Sequence, residues 1–517
     1  MRWVFTKTLQ MNAHEIILEA IRKKCADEKS LRAVKAQAAG NSGKLAANSE
    51  LVQEYLSLLK SKKIRRNPTL EKILKKSRIR TLSGVSPIAV LTKPFGCPGK
   101  CIFCPTEARM PKSYLSNEPA VMRAVRAEFD PFRQVKDRLR ALENCGHEVS
   151  KIELIVMGGT FSAHPRNYQN WFIRRCFAAL NSREAKSNSL EDLKRANEKS
   201  QHRVIGLTLE TRPDFISKKE VKRFLRLGCT RVEIGVQSLS DEILKKVKRG
   251  HGVAESIRAI GLLKDAGLKV GIHLMPNLPL ATPQSDFEMF REVFENENFK
   301  PDQLKIYPTV LIENTGLKKF WQSGEWQPYS DETLANLLAK IKSIVPPWVR
   351  LTRIVRDIPA ESILAGSRLT NLRQILQQRG VLCKCIRCRE IRAENFEARQ
   401  AKLFRGEYRA SGGQEIFLSF EAHGKLISLL RLRFPKGKDF AFVRELHTFG
   451  AEVGIAKKAG NSQHRGFGKK LVREAETIAK KNGFKKLKII AGVGVREYYR
   501  QLGYTLDREK IYMEKKL

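Results

Sequence analysis

From Val85 onward the chain alternates short apolar runs with longer stretches of helical spacing. "VSPIAVLT", "KIELIVMGG", "VIGLTLET", "RVEIGVQS", "KVGIHLMP" and "LKIYPTV" read as strands, with "KKEVKRFLRLG" and "AESIRAIGLLKDAG" as helices between them. Runs that are apolar throughout, instead of at every second residue, predict strands covered on both faces. Their alternation with helices predicts a parallel sheet. The expectation is an α/β fold whose first sheet is a full or partial barrel of about six units. In such a barrel, loops leaving the carboxyl ends of the strands carry the chemistry.

The pattern changes on both flanks. Ahead of the sheet, "MNAHEIILEAIRKKCA", "NSELVQEYLSLLKSKK" and "NPTLEKILKK" read as short helices, the last capped by Asn67 with Pro68 in its first turn. Between Lys60 and Arg80 a dense run of basic residues faces a single acid, Glu71. Beyond residue 405, "QEIFLSFEA", "KLISLLRLRF" and "FVRELHTFG" look antiparallel. They precede "QHRGFGKKLVREAETIAKK", the strand "KLKIIAG" and a short helix through "VREYYRQLGY". The expected domains are a basic helical segment over 1–84, the parallel sheet over 85–375, a cysteine-rich linker over 376–404 and a second α/β domain over 405–517. "KSNSLEDLKRANEKS" reads as a polar insert or helix edge.

Composition narrows the partner. Lys and Arg number 97 against 54 Asp and Glu, a net charge of +43 that points to a polyanion, either nucleic acid or an anionic membrane. The apolar runs fall far short of the roughly 20 residues a membrane helix needs. "MRWVFTKTLQ" lacks the apolar core of a signal peptide, so the expected location is the cytoplasm. In that reducing compartment, close-set cysteines mean metal more often than disulfides. Two sets stand out: Cys97, Cys101 and Cys104, then Cys383, Cys385 and Cys388. Cys25, Cys145, Cys176 and Cys229 stand alone, as buried apolar residues do.

The first set lies in "GCPGKCIFCPTEARMPKSYLSNEPAVMRA", a loop after the first strand. Three thiolates can hold three irons of a 4Fe-4S cube and leave the fourth iron open. A structural zinc would need a fourth ligand, and "EARMPKSY" offers no cysteine or histidine for it. The spacing resembles the radical S-adenosylmethionine superfamily. In that superfamily a glycine pair such as Gly158 and Gly159 of "MGGT" lies against the methionine part of the cofactor. In "QHRGFG", Gln463, Gly466 and Gly468 match the pyrophosphate loop of GNAT acetyltransferases, where bare backbone and a helix amino terminus receive coenzyme A. Tyr498 and Tyr499 fall where that fold often supplies a phenol near the thioester. A core aromatic role is open for one of the two.

A radical domain followed by a GNAT domain resembles the catalytic subunit of Elongator and its single-chain relatives, the tRNA uridine acetyltransferases. "SYLSNEPAVMRA", "MGGTF", "LETRPD", "EIGVQSL", "MPNLP", "KIYPTV", "RDIP", "NLR", "VRELH", "QHRGFG" and "YYRQLGY" carry the likeness. The resemblance implies a tRNA carboxymethyluridine synthase: a 5'-deoxyadenosyl radical takes hydrogen from the acetyl methyl of acetyl-CoA, the resulting radical adds to carbon five of the wobble uridine, and thioester hydrolysis leaves a carboxymethyl group. It implies Cys97, Cys101 and Cys104 as cluster ligands, and Lys151, Glu445, Leu446, His447 and Thr448 beside acetyl-CoA. Phe467, Gly468 and Lys469 would lie on the pyrophosphate loop, Lys469 replacing a usual apolar residue, and Tyr499 would be the acetyl-CoA tyrosine. Lys151, Glu445, His447, Tyr498 and Tyr499 are the catalytic candidates. Cys383, Cys385 and Cys388 look like a zinc-binding linker, with His423 or an acid as the open fourth ligand. The implied partners are tRNA and an electron donor, and a homodimer is compatible with the single-chain relatives; by their charge, Arg109, Lys112, Arg123 and Arg126 beside the cysteine loop are expected to meet the tRNA. The rival readings are a protein lysine acetyltransferase, which a strongly basic chain disfavours for basic substrates, and a non-catalytic tRNA platform.

Overall fold

The computed structural model describes residues 11–39, 45–74, 82–182, 189–392, 396–450 and 465–517. At the amino terminus, helices Ala13–Arg22, Glu28–Ala39, Asn48–Lys60 and Pro68–Leu74 enclose a small core of Ile17, Leu31, Leu51, Tyr55 and Leu70. Asn67 caps the fourth, its Oδ1 accepting from the Leu70 amide at 3.0 Å. The second helix escaped the sequence reading because "EKSLRAVKAQAA" carries only a thin apolar stripe of Leu31, Val34 and two alanines. The stretch "KKSRIR" lies outside the described residues, as does Gln463.

The first sheet contains β1 (Ser86–Leu91), β2 (Lys151–Met157), β3 (Arg203–Thr211), β4 (Arg231–Gln237), β5 (Lys269–Leu274), β6 (Gln303–Ile306) and β8 (Arg350–Arg353), in that spatial order. Every neighbouring pair is parallel. β7 (Leu311–Ile312) and β9 (Ile363–Ala365) form a separate antiparallel pair. Among the described residues no ladder joins β8 to β1, so the sheet is an open half-barrel, with a seventh strand beyond the six expected. β8 gave no sequence signal because "RLTR" has one buried apolar residue. Along β2, Ile152, Leu154 and Val156 are buried on one face while Lys151, Glu153, Ile155 and Met157 alternate on the other. A period of two thus sorts apolar residues to the helix layer and leaves charged ones on the concave face.

The second sheet runs β10 (Lys402–Ala410), β11 (Gly413–Ala422), β12 (Lys425–Phe434), β13 (Phe440–Thr448), β14 (Lys486–Ile489), β16 (Met513–Lys516) and β15 (Thr505–Leu506). β10 to β13 are antiparallel, and β13 and β14 are parallel. The register shifts between Arg431 and Leu432 of β12, leaving Arg444 of β13 as the extra residue of a bulge. A bulge re-aims side chains, and here it sends Arg444 into the half-barrel. Arg444 donates to Asp302 at 2.6 and 2.8 Å, to Glu415 at 3.0 Å and to the Leu268 carbonyl at 2.8 Å. Arg433 bridges Asp265 (2.6 Å) and Glu415 (2.9 Å), and Arg431 meets Glu445 (2.8 Å). All three guanidinium groups are fully buried, so each must be paired to be tolerated. This network fastens the second sheet across the amino ends of the first.

Candidate active site

The cysteine loop leaves β1 and covers the carboxyl end of the half-barrel. It is pinned by the Ile102 amide to Val247 O (3.1 Å) and by the Leu317 amide to Ile102 O (2.9 Å). Cys101, Ile102 and Phe103 pack with Val247, Leu278, Leu311 and Leu317. Cys97 Sγ lies 3.7 Å from Thr160 Oγ1. Burial, then the neighbouring Cys101, pushes the Cys104 thiol above its usual range. The three sulfurs do not all fall within 4.8 Å of one another. Gly158 (φ 129°) and Gly159 (φ 87°) are left-handed, which glycine tolerates. A Cβ at Gly158 would strike Thr92, and one at Gly159 would lie 3.1 Å from Lys112 O, so the backbone here is bare by necessity. A cavity of about 800 Å³ opens beside the loop, walled by Pro98, Gly99, Lys100, Arg212, Lys248 and His251. Donor set, bare backbone and buried cations fit a 4Fe-4S cluster with S-adenosylmethionine.

Below the loop, the concave face holds a chain of charged groups. Tyr114 donates to Glu210 at 2.9 Å, and Lys305 spans Glu210 (3.3 Å) and Glu233. His273 lies 3.3 Å from Glu233, Arg231 Nε lies 3.6 Å from Glu233, and Arg231 pairs with Glu153. Glu210, Glu233 and His273 are close enough to share an ion, but the Lys305 ammonium already supplies the cation between the two carboxylates. Burial would lift the Glu233 carboxyl; Lys305 overrides it and holds it well below the usual range. Sequence reading missed these residues. Their signal was there: each apolar strand carries one or two ionisable residues, as in "LTLET", "RVEIGV", "GIHLM" and "LKIY".

At the amino end of the same face stand Glu445 and His447 of β13. Lys269 Nζ is 3.3 Å from Glu445, and His447 Nε2 is 2.7 Å from Ser83 O. Burial raises the Glu445 carboxyl, but Lys269 and Arg431 outweigh it and keep it ionised. Burial depresses the His447 imidazole. Lys151 begins β2 at this end. Leu446 and Thr448 alternate to the other face of β13, near Gly468 and the phenol of Tyr498: a Cβ on Gly468 would lie 2.9 Å from Tyr498 Oη, 3.7 Å from Leu446 and 3.9 Å from Thr448. Pairing between β13 and β14 ends at Val443 and Ile489, opening a wedge along residues 444–448. Gly466 (φ 84°) is the cap of helix Phe467–Lys481, with open space where a Cβ would be. The wedge and the helix amino terminus fit an extended acyl-coenzyme A.

The structure divides the expected pyrophosphate and tyrosine residues. Phe467 is buried against Phe420, while Lys469 is exposed. Tyr499 is 5% exposed and belongs to the core of the second sheet, whereas burial pushes the half-buried Tyr498 phenol up to about 12. The sulfurs of Cys383, Cys385 and Cys388 lie within 4.8 Å of one another. Hydrogen bonds from Cys383 and Cys388 lower the Cys385 thiol. His423, exposed on the turn between β11 and β12, is not part of that group.

An open parallel sheet capped by a three-thiol loop and joined to a wedge-bearing acetyltransferase sheet defines a radical S-adenosylmethionine enzyme fused to a GNAT domain. Residues 92–291 match the Radical SAM superfamily, 301–380 the Radical SAM C-terminal domain and 385–504 the Acetyltransferase (GNAT) family. A tRNA uridine(34) acetyltransferase of Methanocaldococcus infernus is 47% identical over 86% of this chain and 88% of its own length, and one of Dehalococcoides mccartyi is 48% identical over 83% and 97%. Elongator complex protein 3 of Homo sapiens is 41% identical over 84% and 85%. The solved structure of the archaeal Methanocaldococcus infernus Elp3 with an N-terminal deletion matches with a TM-score of 0.73 at 44% identity, covering 84% of this chain and 100% of that one. The chain belongs to the family of the tRNA uridine(34) acetyltransferases and Elongator complex protein 3.

Proposed function

We propose that this chain is a tRNA uridine(34) acetyltransferase that joins a two-carbon unit from acetyl-CoA to carbon five of the wobble uridine. The observation that carries this reading is the joint between the two sheets. The strand bearing Glu445 and His447 closes the amino end of the concave face whose carboxyl end lies under the Cys97–Cys104 loop.

Carbon five of uracil is too weak a nucleophile for ordinary acyl transfer, so the bond calls for a radical. When bound, a cluster on Cys97, Cys101 and Cys104 together with S-adenosylmethionine supplies a hydrogen-abstracting radical, and acetyl-CoA supplies the carbons. The chain's own groups bind and orient. Gly466 and Gly468 present free amides and the helix dipole to the pyrophosphate. The wedge beyond Val443 receives the pantetheine arm, and Leu446 and Thr448 flank the acyl end. The Tyr498 phenol, protonated at neutral pH, donates a hydrogen bond to the thioester oxygen or to the departing thiolate. Glu445, ionised, and His447, neutral, hold the amino end of the lumen, with Lys151 beside them. Glu210, Glu233, Lys305 and Tyr114 present fixed donors and acceptors to a base turned out of its stack. Arg109 and Arg126, both exposed, join Lys112 and Arg123 in meeting phosphates, so tRNA affinity falls steeply with salt.

Cys383, Cys385 and Cys388 hold a structural zinc, with the fourth ligand outside that trio. An external one-electron donor serves the cluster. No helix among the described residues is long and apolar enough to cross a membrane. The test is an anaerobic incubation of reconstituted protein with acetyl-CoA, S-adenosylmethionine, a reductant and tRNA. A carboxymethyl-type uridine is expected at the wobble position. Absence of product, or product that persists in Cys104→Ser, overturns the proposal.

A further inference from the structure

Two arginines lie under the cysteine loop, and the reaction as outlined uses neither. Arg212 is 4% exposed and Arg249 is 6% exposed. Arg249 Nη1 donates to Cys101 Sγ at 3.4 Å and Nη2 to Gly235 O at 2.6 Å, while Nε has no hydrogen-bond partner. Arg212 is held by Asp214 (3.0 Å) and by Arg249 O (2.9 Å), and its Nη1 makes no hydrogen bond. Among the described residues no carboxylate lies within 4.0 Å of Arg249, so Asp214 is left to balance two buried guanidinium groups.

The space for these groups is built into the backbone. A Cβ on Gly99, inside the cysteine loop, would strike Arg212 Nη1. One on Gly235 would lie 2.8 Å from Arg249 Nη2, and one on Gly250 (φ 79°) 3.3 Å from Arg212 Nη2. Three glycines from three separate segments therefore clear room for two cations at one place. Burying an arginine without an anion is costly. The groups positioned to supply the missing negative charge are the thiolates of Cys97 and Cys101.

We propose that Arg249, backed by Arg212, is the charge partner of the cluster on this loop and sets its reduction potential. The inference rests on the cluster reading above. Reduction adds one negative charge to the cluster. A guanidinium in hydrogen-bond contact with a ligating sulfur favours the reduced state, and charge and hydrogen bonds to sulfur are among the main determinants of such potentials. Arginine suits the role because it stays protonated at every working pH. Both are positioning residues, since they act through Cys101 and Cys97.

The experiment is an anaerobic redox titration of the reconstituted full chain, read by electron paramagnetic resonance, after iron and sulfide have been measured. Wild-type protein that holds no iron would refute the cluster reading itself and is told apart at that first step. In loaded Arg249→Met the midpoint is expected to fall by at least about 59 mV, the one-electron equivalent of a tenfold loss in the reduced-to-oxidised ratio. Arg249→Lys should recover part of that fall, and Arg212→Met should show a smaller one. Where Arg249→Met fails to hold iron, Arg249→Lys and Arg212→Met are compared with wild type by the same midpoint. A loaded set whose midpoints match wild type overturns the inference.

Discussion

The chain carries two cysteine triplets that differ by two residues in their first gap and in almost everything else. Cys97, Cys101 and Cys104 lie on a loop at the carboxyl end of a half-barrel. Their sulfurs are spread, two buried arginines lie beneath them, and a cavity opens at their side. Cys383, Cys385 and Cys388 gather their sulfurs within 4.8 Å at the seam between the sheets. There the Ile386 amide bonds Val349 O at 3.0 Å, the Ile391 amide bonds Leu426 O at 2.8 Å, and Arg389 pairs with Glu421 at 2.6 Å. The first triplet is open toward a lumen and the second is closed around one point. Equal numbers of thiols thus lie in two different surroundings, the first suited to the cluster proposed above and the second to the proposed structural zinc.

That contrast can be broken. The largest expected effect is that of Cys104→Ser, which should remove wobble-uridine product to background while leaving the thermal midpoint near wild type. A structural role for the first triplet would instead show as lost stability. Next comes Arg444→Met at the seam: it takes the closest cation from Asp302 and leaves Glu415 to Arg433 and Lys264, and should cost about 3–5 kcal/mol in denaturant unfolding. A neutral result would mean that the sheets are held by other contacts. Tyr498→Phe should slow turnover of acetyl-CoA about 100-fold, while Tyr499→Phe should leave turnover near wild type; the reverse order would move the phenol's role to Tyr499. Cys385→Ser should abolish bound zinc and lower the thermal midpoint, with product falling only as the folded fraction falls.

The smallest effect is on pH. Burial lifts Asp302, Glu415 and Glu445, but the arginines and lysines around them override it and hold all three below the usual carboxylate range. A depressed folded-state value gives stability that is present above the unfolded value of about 4 and is lost as pH falls toward the folded one. Denaturant midpoints should therefore hold steady from neutrality to about pH 5 and decline below it. Arg444→Met should flatten that decline.

Six strands of the half-barrel, four of the second sheet and the order of the domains' motifs were legible because apolar runs and turn glycines are local signals. β8 and β10 were not: "RLTR" and "KLFRGEYRA" bury too little apolar surface to mark themselves. The cysteine loop was legible from spacing, and the glycine loop from spacing together with the strand before it and the helix after it. The lumen was not, because Glu210, Glu233, His273 and Lys305 each lie on a separate strand, and only parallel register brings them together. Strand alternation also divides "ELHT" in a way that the motif hides, sending Glu445 and His447 to the half-barrel and Leu446 and Thr448 toward Gly468. Likewise, adjacent tyrosines on one helical turn point to different surroundings, one to the core and one to the helix amino terminus.

The central claim is that both sheets act on one acetyl group. It is tested most directly with acetyl-CoA deuterated at the methyl group, incubated anaerobically with reconstituted protein, S-adenosylmethionine, reductant and tRNA, and read by the mass of the 5'-deoxyadenosine released. The account predicts deuterium in that product. Unlabelled 5'-deoxyadenosine accompanying modified tRNA would contradict it.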